Sequence, residues 1–456
     1  MSPLDDPVIS AGTGPVLLIV ALSIAALIAM VLRLKVPAFI ALLVVALGTG
    51  LALGGDPADV IEAVRTGTGQ ALGFVAVVIG LGAMLGGMLE ASGGVAALAH
   101  RLLSAFGEKR ATWALTAIGI IVGIPLFFDV AFIVLAPLVT TLSLRAGRRV
   151  TYFALPLLAA LLVMHALLPP HPGPVAVAEL IGTDYGLLAM YGLACGIPAA
   201  IVAGPIFARL AHGAPGFGDQ SPPPQFDEDS PRISQIGFGM ALAGMLVPLA
   251  LIMLAAMADW LMDDGPLKQA VTFIGHPFTA LIIACALVGT WLRLVAGAPL
   301  ATISDVMTRA LAPAGLMVLV VGAGAAYKEV LIQSGAGDRI TEVVASADLS
   351  PLVFAFLLSA FVRVAQGSAT VAMVTAAGLA APLIAAAGLS PGQIALVTVA
   401  IGAGASVASH VNDTGFWLVK QFLGLSEAQT FRSWTLCSTI AGITMFAVAA
   451  MLWPFA

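Results

Sequence analysis

Ionisable and hydrogen-bonding side chains are scarce in this sequence, and four short segments hold most of those found inside apolar stretches. Asp129 lies in Gly123-Ile-Pro-Leu-Phe-Phe-Asp129-Val-Ala-Phe. His171 and Gly173 lie in Pro169-Pro-His-Pro-Gly-Pro174. A third segment reads Arg363-Val-Ala-Gln366-Gly367-Ser368-Ala-Thr370, and a fourth Ser409-His410-Val-Asn412-Asp413-Thr414-Gly415. Carboxylates and imidazoles can hold and release protons. Amides and hydroxyls can bond a hydroxylated ligand, and glycine lets a backbone approach it closely. The chemistry on offer is proton exchange and polar binding.

Each segment also has a plain structural reading. An intramembrane charge normally faces a partner or a watery cavity, but Asp129 could equally cap a helix. His171 could donate to a carboxylate or hold the carbonyls of its own break, whereas His165, six residues upstream, reads as core. Ser368 could bind a ligand or serve as an N-cap. Arg363 could pair with a substrate carboxylate or anchor its segment at the interface. In the 409–414 cluster, Ser409, His410, Asn412 and Thr414 read as ligands. Asp413 reads as the cap of a helix starting at Thr414, or as a proton carrier. Lys328, Glu329 and Glu90 read as solvated helix ends.

The elements that must position these groups follow from composition. The 456 residues are 60% hydrophobic and 9% charged, with net charge −5; soluble proteins carry about 25% charged residues. Runs such as Val16–Leu32 and Val36–Leu53 approach the ~20 residues needed to cross a bilayer. The fold class is therefore an all-α polytopic membrane protein, with the lipid bilayer as a partner. No basic tract suggests nucleic acid. Met1-Ser-Pro-Leu-Asp-Asp-Pro7 lacks a positive n-region, so the first helix is expected to remain in the mature protein. Cys195, Cys285 and Cys437 are isolated, which indicates neither disulfides nor a metal site.

Crossings are expected near 12–32, 36–54, 70–89, 151–182, 187–210, 236–258, 271–292, 308–330, 391–420 and 433–453. Two interrupted stretches, 111–144 and 351–387, could each be two crossings or a re-entrant hairpin. Basic residues flank 111–144 on both sides, and Lys/Arg favour cytoplasmic loops, which favours the hairpin. The polar, Pro-rich stretch 212–234 reads as a cytoplasmic loop within a linker, 211–235, between the halves 1–210 and 236–456.

The halves repeat. Gly80–Gly93 resembles Gly322–Gly335, and Ser334 lies 242 positions beyond Ser92. The same offset carries 111–144 onto the second interrupted stretch and the 169–174 break onto 409–415. Each half then holds five crossings plus one hairpin. The odd count inverts the second copy, a plan found in secondary transporters. Non-helical backbone at membrane depth must be buried in protein or line a cavity. Paired breaks therefore point to a central site whose half-helix N-termini offer partial positive charge to an anion.

At these residues the chain resembles the gluconate/proton symporter (gluconate permease) family. The carrying stretches are Leu167–Ala178, Gly123–Val139, Gly322–Gly335, Arg363–Ala372 and Ser409–Leu425. The resemblance implies proton-coupled import of a small hydroxylated monocarboxylate such as gluconate, with no cofactor beyond the coupling proton. It also implies a homodimer in a bacterial inner membrane, each protomer having a scaffold and a mobile, elevator-type transport domain. Two hairpin tips and two helix breaks would enclose the site. Substrate-binding candidates are Asp129, His171, Gly173, Gln366, Gly367, Ser368, Thr370, Ser409, His410, Asn412 and Thr414. Proton-coupling candidates are Asp129, His171 and Asp413, with Asp129 first because its surroundings are apolar. The chain departs from the family at Asp129, where members often carry Glu, and at Tyr327-Lys328-Glu329, where they often read Phe-Lys-Gln. D-serine or another aldonate are the alternative substrates.

Other classes find less support. Gly388-Leu-Ser-Pro-Gly392 matches G-x-S-x-G, but that motif needs a strand-to-helix turn. Ser390-Pro391 reads instead as an N-cap followed by proline at the first helical position. No H-E-x-x-H motif and no phosphate loop occur. A channel would not need paired inverted hairpins. The topology is testable by cysteine labelling: Gly147 and Gln225 should label from the cytoplasm, Thr183 and Gly265 from outside. Outside labelling at Gly147, with Arg101 inside, would overturn the hairpin reading.

Overall fold

The computed structural model describes residues 13–107, 110–211, 213, 236–336, 350–411 and 413–456. The 212–234 loop and Asn412 lie outside the described residues, apart from Gly213. The first half contains α1 (Thr13–Leu32), α2 (Ala38–Ala52), α3 (Pro57–Ala91), α4 (Gly94–Phe106) and α5 (Ala111–Val122). It continues with α6 (Phe128–Ala146), α7 (Val150–Leu167), α8 (Pro172–Ile181) and α9 (Tyr185–Ile201). The second half contains α10 (Phe238–Leu261), α11 (Pro266–Gly275), α12 (Pro277–Leu294), α13 (Leu300–Ala310) and α14 (Ala312–Gln333). Then follow α15 (Pro351–Gln366), α16 (Ala369–Ala386), α17 (Pro391–Ser406), α18 (Thr414–Phe422) and α19 (Leu436–Leu452). Among the described residues, nine helices are long and apolar enough to cross a membrane, α7 and α8 counting together.

Several boundaries differ from expectation. α3 starts at Pro57, not near 70, because Asp56 accepts the Ala58 amide at 2.8 Å and proline occupies the first helical position. Its first turns stay helical because they lie against α14: a Cβ at Gly67 would stand 2.7 Å from the Glu329 Cβ. The expected 271–292 crossing is split at His276-Pro277, since proline cannot donate to the preceding turn. Ser390 caps α17 in a full capping box with Gln393, so the G-x-S-x-G match is a helix start.

The 242-residue offset recurs in the helices. α5, α6, α7 and α8 begin at 111, 128, 150 and 172, and α15 to α18 begin at 351, 369, 391 and 414, each within two residues of the shifted position. Packing is reciprocal as well. α8 packs on α16 and α18 on α6; α9 packs on α17 and α19 on α7; α2 packs on α14 and α12 on α3.

The centre is built from α7 and α17, which touch each other and are apolar all round. Such helices belong in an interior, and every residue of α7 except Tyr152 and His165 is buried. Small residues let their neighbours close in. A Cβ at Gly119 of α5 would lie 2.7 Å from the Ala160 Cβ and 2.8 Å from the Leu157 carbonyl of α7. A second cluster joins α1 and α2 to α14 through Val16, Val20, Leu42, Val45, Tyr327 and Leu331. Outer faces carry exposed Leu18, Leu22, Val44, Ile133, Leu316 and Leu319, as lipid contact requires.

The close α5–α7 contact makes a prediction. Gly119→Val should destabilise the detergent-solubilised protein by about 1–3 kcal/mol, the cost of overpacking. Gly69→Ala, which meets no atom within 4 Å, should leave stability unchanged. Thermal exposure of the buried free thiols Cys195, Cys285 and Cys437 to a reactive dye reads both.

Candidate functional site

Four interruptions of helix meet near the ends of α7 and α17. The first break follows from its prolines. α7 ends at Leu167, Pro169 and Pro170 are joined by a cis bond, and Pro172 opens α8 from its first position. The second break runs from Val407 to Asp413. Asp413 caps α18 by accepting the Gly415 amide at 3.0 Å. The turn at Gly123–Phe127 joins α5 to α6. The turn between α15 and α16 uses Gly367, whose φ of 84° suits a residue without Cβ, and Ser368, which accepts the Val371 amide at 3.3 Å.

Side chains knit these places into a ring. His171 is buried, and its Nε2 donates to the Gly123 carbonyl at 2.6 Å, fixing the first break to the first hairpin turn. Gly173, in the first turn of α8, lies directly against Met373 of α16, which ties the first break to the second hairpin. The Arg363 guanidinium donates to the Gly367 carbonyl and to Asp413 Oδ2, joining the second hairpin turn to the second break. Phe128 of α6 stacks near Trp434, at 5.4 Å between ring centroids, and Asp129 lies within electrostatic range of Asp413. The start of α6 thereby reaches the second break.

Around Asp413 nearly every polar atom is used. Ser409 Oγ donates to Asp413 Oδ2 and accepts from Trp434 Nε1 at 2.6 Å. The Ser409 amide donates to Ser438 Oγ at 3.2 Å, and its carbonyl accepts from Thr435. Ala408 has φ of 51°, a region a side chain enters at a cost of about 1–2 kcal/mol. Its amide is held by Thr439 Oγ1 at 3.1 Å, and its carbonyl takes His410 Nδ1 at 2.9 Å. Strain held by surrounding bonds is common where backbone conformation serves function.

Two groups at the ring are buried without a partner among the described residues: both amide atoms of Gln366, and Nε of Arg363. Buried polar atoms seldom go unpaired, and each costs about 1–3 kcal/mol when they do. Asp129 is exposed, stands in the first turn of α6, caps nothing and has no hydrogen bond or ion pair among the described residues. Ser368 and Thr414 are exposed and Thr370 and His410 half-buried.

The structure brings Asp129, His171, Gly173, Gln366, Gly367, Ser409, His410 and Asp413, all expected at a site, to one region. Other assignments change. Arg363 was expected to anchor its hairpin at the interface, yet it is buried, because Asp413 and the Gly367 carbonyl offer it partners inside. Lys328 and Glu329 were expected at a solvated helix end, yet α14 continues to Gln333 and leaves both half-buried. His165, expected in the core, is half-buried with its ring centroid 4.6 Å from that of His171. Sequence reasoning missed Trp434, Ser438 and Thr439, whose contacts with the break carry no local signal. It also missed Glu179, an acid within the apolar α8, where the signal was present.

This arrangement is that of a multi-pass membrane transporter. The fold matches the crystal structure of the Alcanivorax borkumensis YdaH transporter with a TM-score of 0.68 at 16% identity, covering 91% of this chain and 98% of that one. The sequence is 37% identical over 444 residues to the gluconate permease of Bacillus subtilis, covering 94% of this chain and 97% of the relative. It is 36% identical to the Gnt-II system L-idonate transporter of Escherichia coli, covering 94% of this chain and 96% of that relative. The chain belongs to the GntP permease family, whose description, GntP family permease, matches residues 15–455. Its relatives are permeases and transporters, and an enzymatic role has no support.

The buried ion pair makes the next prediction. Removing one partner of such a pair costs about 3–5 kcal/mol. Arg363→Gln and Asp413→Asn should each lower unfolding stability in detergent on that scale. The double variant should lose clearly less than the two losses combined, because neither charge is then stranded. Additive losses would show that the two side chains act independently.

Proposed function

We propose that this permease imports a small hydroxylated monocarboxylate, gluconate first, together with at least one proton. The observation that carries this reading is the unpartnered Gln366 amide, buried where the two helix breaks and two hairpin turns converge. A polyhydroxy acid supplies hydroxyl groups that both accept from Nε2 and donate to Oε1. The relatives' names support an aldonate, since one is a gluconate permease and another an L-idonate transporter.

The substrate carboxylate is assigned to the half-helix N-termini. In the first three positions of α8, Pro172 and Pro174 have no N–H, which leaves Gly173 to present its amide. A helix start also carries about half a unit of positive charge. Hydroxyls of the substrate fall to Gln366, Ser368, Thr370, His410, Asn412 and Thr414, and the Gly367 backbone permits close approach; Ser409, held between Asp413 and Trp434, positions the break.

A proton removes an electrical obstacle. Moving one negative charge inward against ~100 mV costs about 2.3 kcal/mol, and a co-transported proton cancels it. Of the candidate carriers, Asp413 already has both oxygens committed to Arg363, Ser409 and the Gly415 amide. His171 has given Nε2 to Gly123. Asp129 has no partner on either oxygen among the described residues, so the coupling proton is assigned there.

The 242-residue recurrence and the reciprocal packing support two inverted repeats, 1–210 and 236–456, joined by a cytoplasmic linker at 211–235. Alternating access then moves a transport domain holding the breaks and hairpins past a scaffold, elevator-fashion, in a homodimer of the bacterial inner membrane.

Proteoliposome uptake tests the reading with gluconate, L-idonate and D-serine. Gluconate should accumulate against its gradient when a pH gradient is imposed. Asp129→Asn should keep substrate exchange and lose that accumulation. Gln366→Ala and Asn412→Ala should each weaken half-saturation by about tenfold, or 1.4 kcal/mol. Accumulation by Asp129→Asn equal to wild type would remove Asp129 from coupling. Wild-type preference for D-serine would overturn the substrate.

A further inference from the structure

A second group of polar side chains lies away from the four interruptions, where α8, α14 and α16 meet. Glu179 of α8 is half-buried between the buried residues Ala178 and Leu180. Tyr185, at the start of α9, donates its hydroxyl to Glu179 Oε2 at 3.3 Å, with the Val175 carbonyl at 3.4 Å. The tyrosine ring is stacked on Phe74 of α3 at 4.8 Å, so the hydroxyl is aimed by packing. Across the junction stands Lys328 of α14, also half-buried. It has room because the facing residue of α16 is Gly378, where a Cβ would lie 3.9 Å from that of Lys328.

Glu179 and Lys328 are opposite charges within electrostatic range of each other. Yet among the described residues Lys328 makes no ion pair within 4.0 Å. Its chain neighbour Glu329 acts on it as well, ahead of Glu179, and accepts from Gln333 Nε2 at 2.8 Å, so Glu179 is the acid that reaches it from another helix. No other charged group than Lys328 acts on Glu179 among the described residues, and Tyr185 is its one titratable hydrogen-bond partner. Ionisable groups inside membrane helices are costly and mark ion or proton pathways. A purely structural pair in such surroundings would be closed, because attraction grows as water is excluded. An open pair on separate helices suits a carboxyl group that carries a proton in one state and meets the ammonium in another. A phenol hydroxyl can donate to the carboxyl in either state.

We propose that Glu179 is a second proton-binding group of the transport cycle, held by Tyr185, and that Lys328 takes the proton's place when the helices bearing them close together. In that step the Glu179 O–H bond breaks, the proton leaves to water on the releasing side, and the carboxylate pairs with the Lys328 ammonium. The proposal rests on the proton-coupled reading above.

The test measures labelled gluconate and proton uptake in the same proteoliposomes. Glu179→Gln should lower the number of protons carried per substrate, while substrate exchange stays within about threefold of wild type. Glu179→Asp should restore part of the ratio. Lys328→Met should slow net uptake about tenfold or more, because the proton is no longer displaced. Glu179→Gln/Lys328→Met should recover the rate without the ratio. An unchanged ratio in Glu179→Gln, or wild-type uptake in Lys328→Met, overturns the proposal. If Glu179→Gln fails to fold, the Lys328→Met rate decides. Absence of proton uptake by the wild type would refute the coupled reading itself, which separates the two failures.

Discussion

Inside a bilayer no water is available to satisfy a broken helix, and this constraint governs the centre of the molecule. Two apolar helices are interrupted, and the turns that join α5 to α6 and α15 to α16 lie beside the interruptions. Every peptide group they release must find a partner within the protein. The structure supplies those partners with side chains from distant elements. His171 takes the Gly123 carbonyl, Arg363 takes the Gly367 carbonyl, and Ser438 and Thr439 hold the amides of Ser409 and Ala408. The interruptions are therefore not independent loops. Each is completed by another, which is why all four lie together.

The Arg363–Asp413 contact is the ion pair among these ties. Buried ion pairs add little net stability, since desolvation offsets attraction. Their effect is to forbid arrangements that strand either charge. Here the pair fixes the second hairpin turn against the second break while Asp413 also caps α18. Ser409 extends the fixation to Trp434, and Trp434 passes it to Phe128 at the start of α6. Against this saturated network the unpartnered Gln366 amide stands out. Among the described residues it shares that state at the ring only with Arg363 Nε and the Asp129 carboxylate.

The two halves contribute unlike chemistry to equivalent places. The first break is rigid and poor in donors, being mostly proline, whereas the second is a dense hydroxyl, amide and carboxylate cluster. Asp129, just past the α5–α6 turn, has no hydrogen bond among the described residues, whereas the α15–α16 turn carries the Gln366 amide and the Ser368 hydroxyl. Glu179 and Lys328 have no such equivalents in the repeat: their positions 242 residues away hold Gln421 and Gly86. They belong to what one half does and the other does not.

Composition alone determined that the chain crosses membranes, because 60% hydrophobic residues cannot be buried in a water-soluble core of this length. The breaks were legible as well: four prolines within 169–174 remove donors in close succession, and the polar run 409–415 interrupts an otherwise apolar stretch. The 242-residue recurrence located the starts of α15 to α18 and the second break from the first half, and Asp129, His171, Gln366 and Asp413 were visible as polar residues out of place. Partnership was not legible. Arg363 looks like an interfacial anchor in sequence, and its salt bridge spans fifty positions to Asp413. Trp434 and Thr439 reach the second break from the following helix with nothing local to announce it. The extent of α3 and α14 was likewise set by their packing on each other, not by propensity. Local sequence specifies where a helix can start and stop. Which distant group satisfies an exposed carbonyl or charge depends on the three-dimensional path of the chain, and only the folded structure decided that.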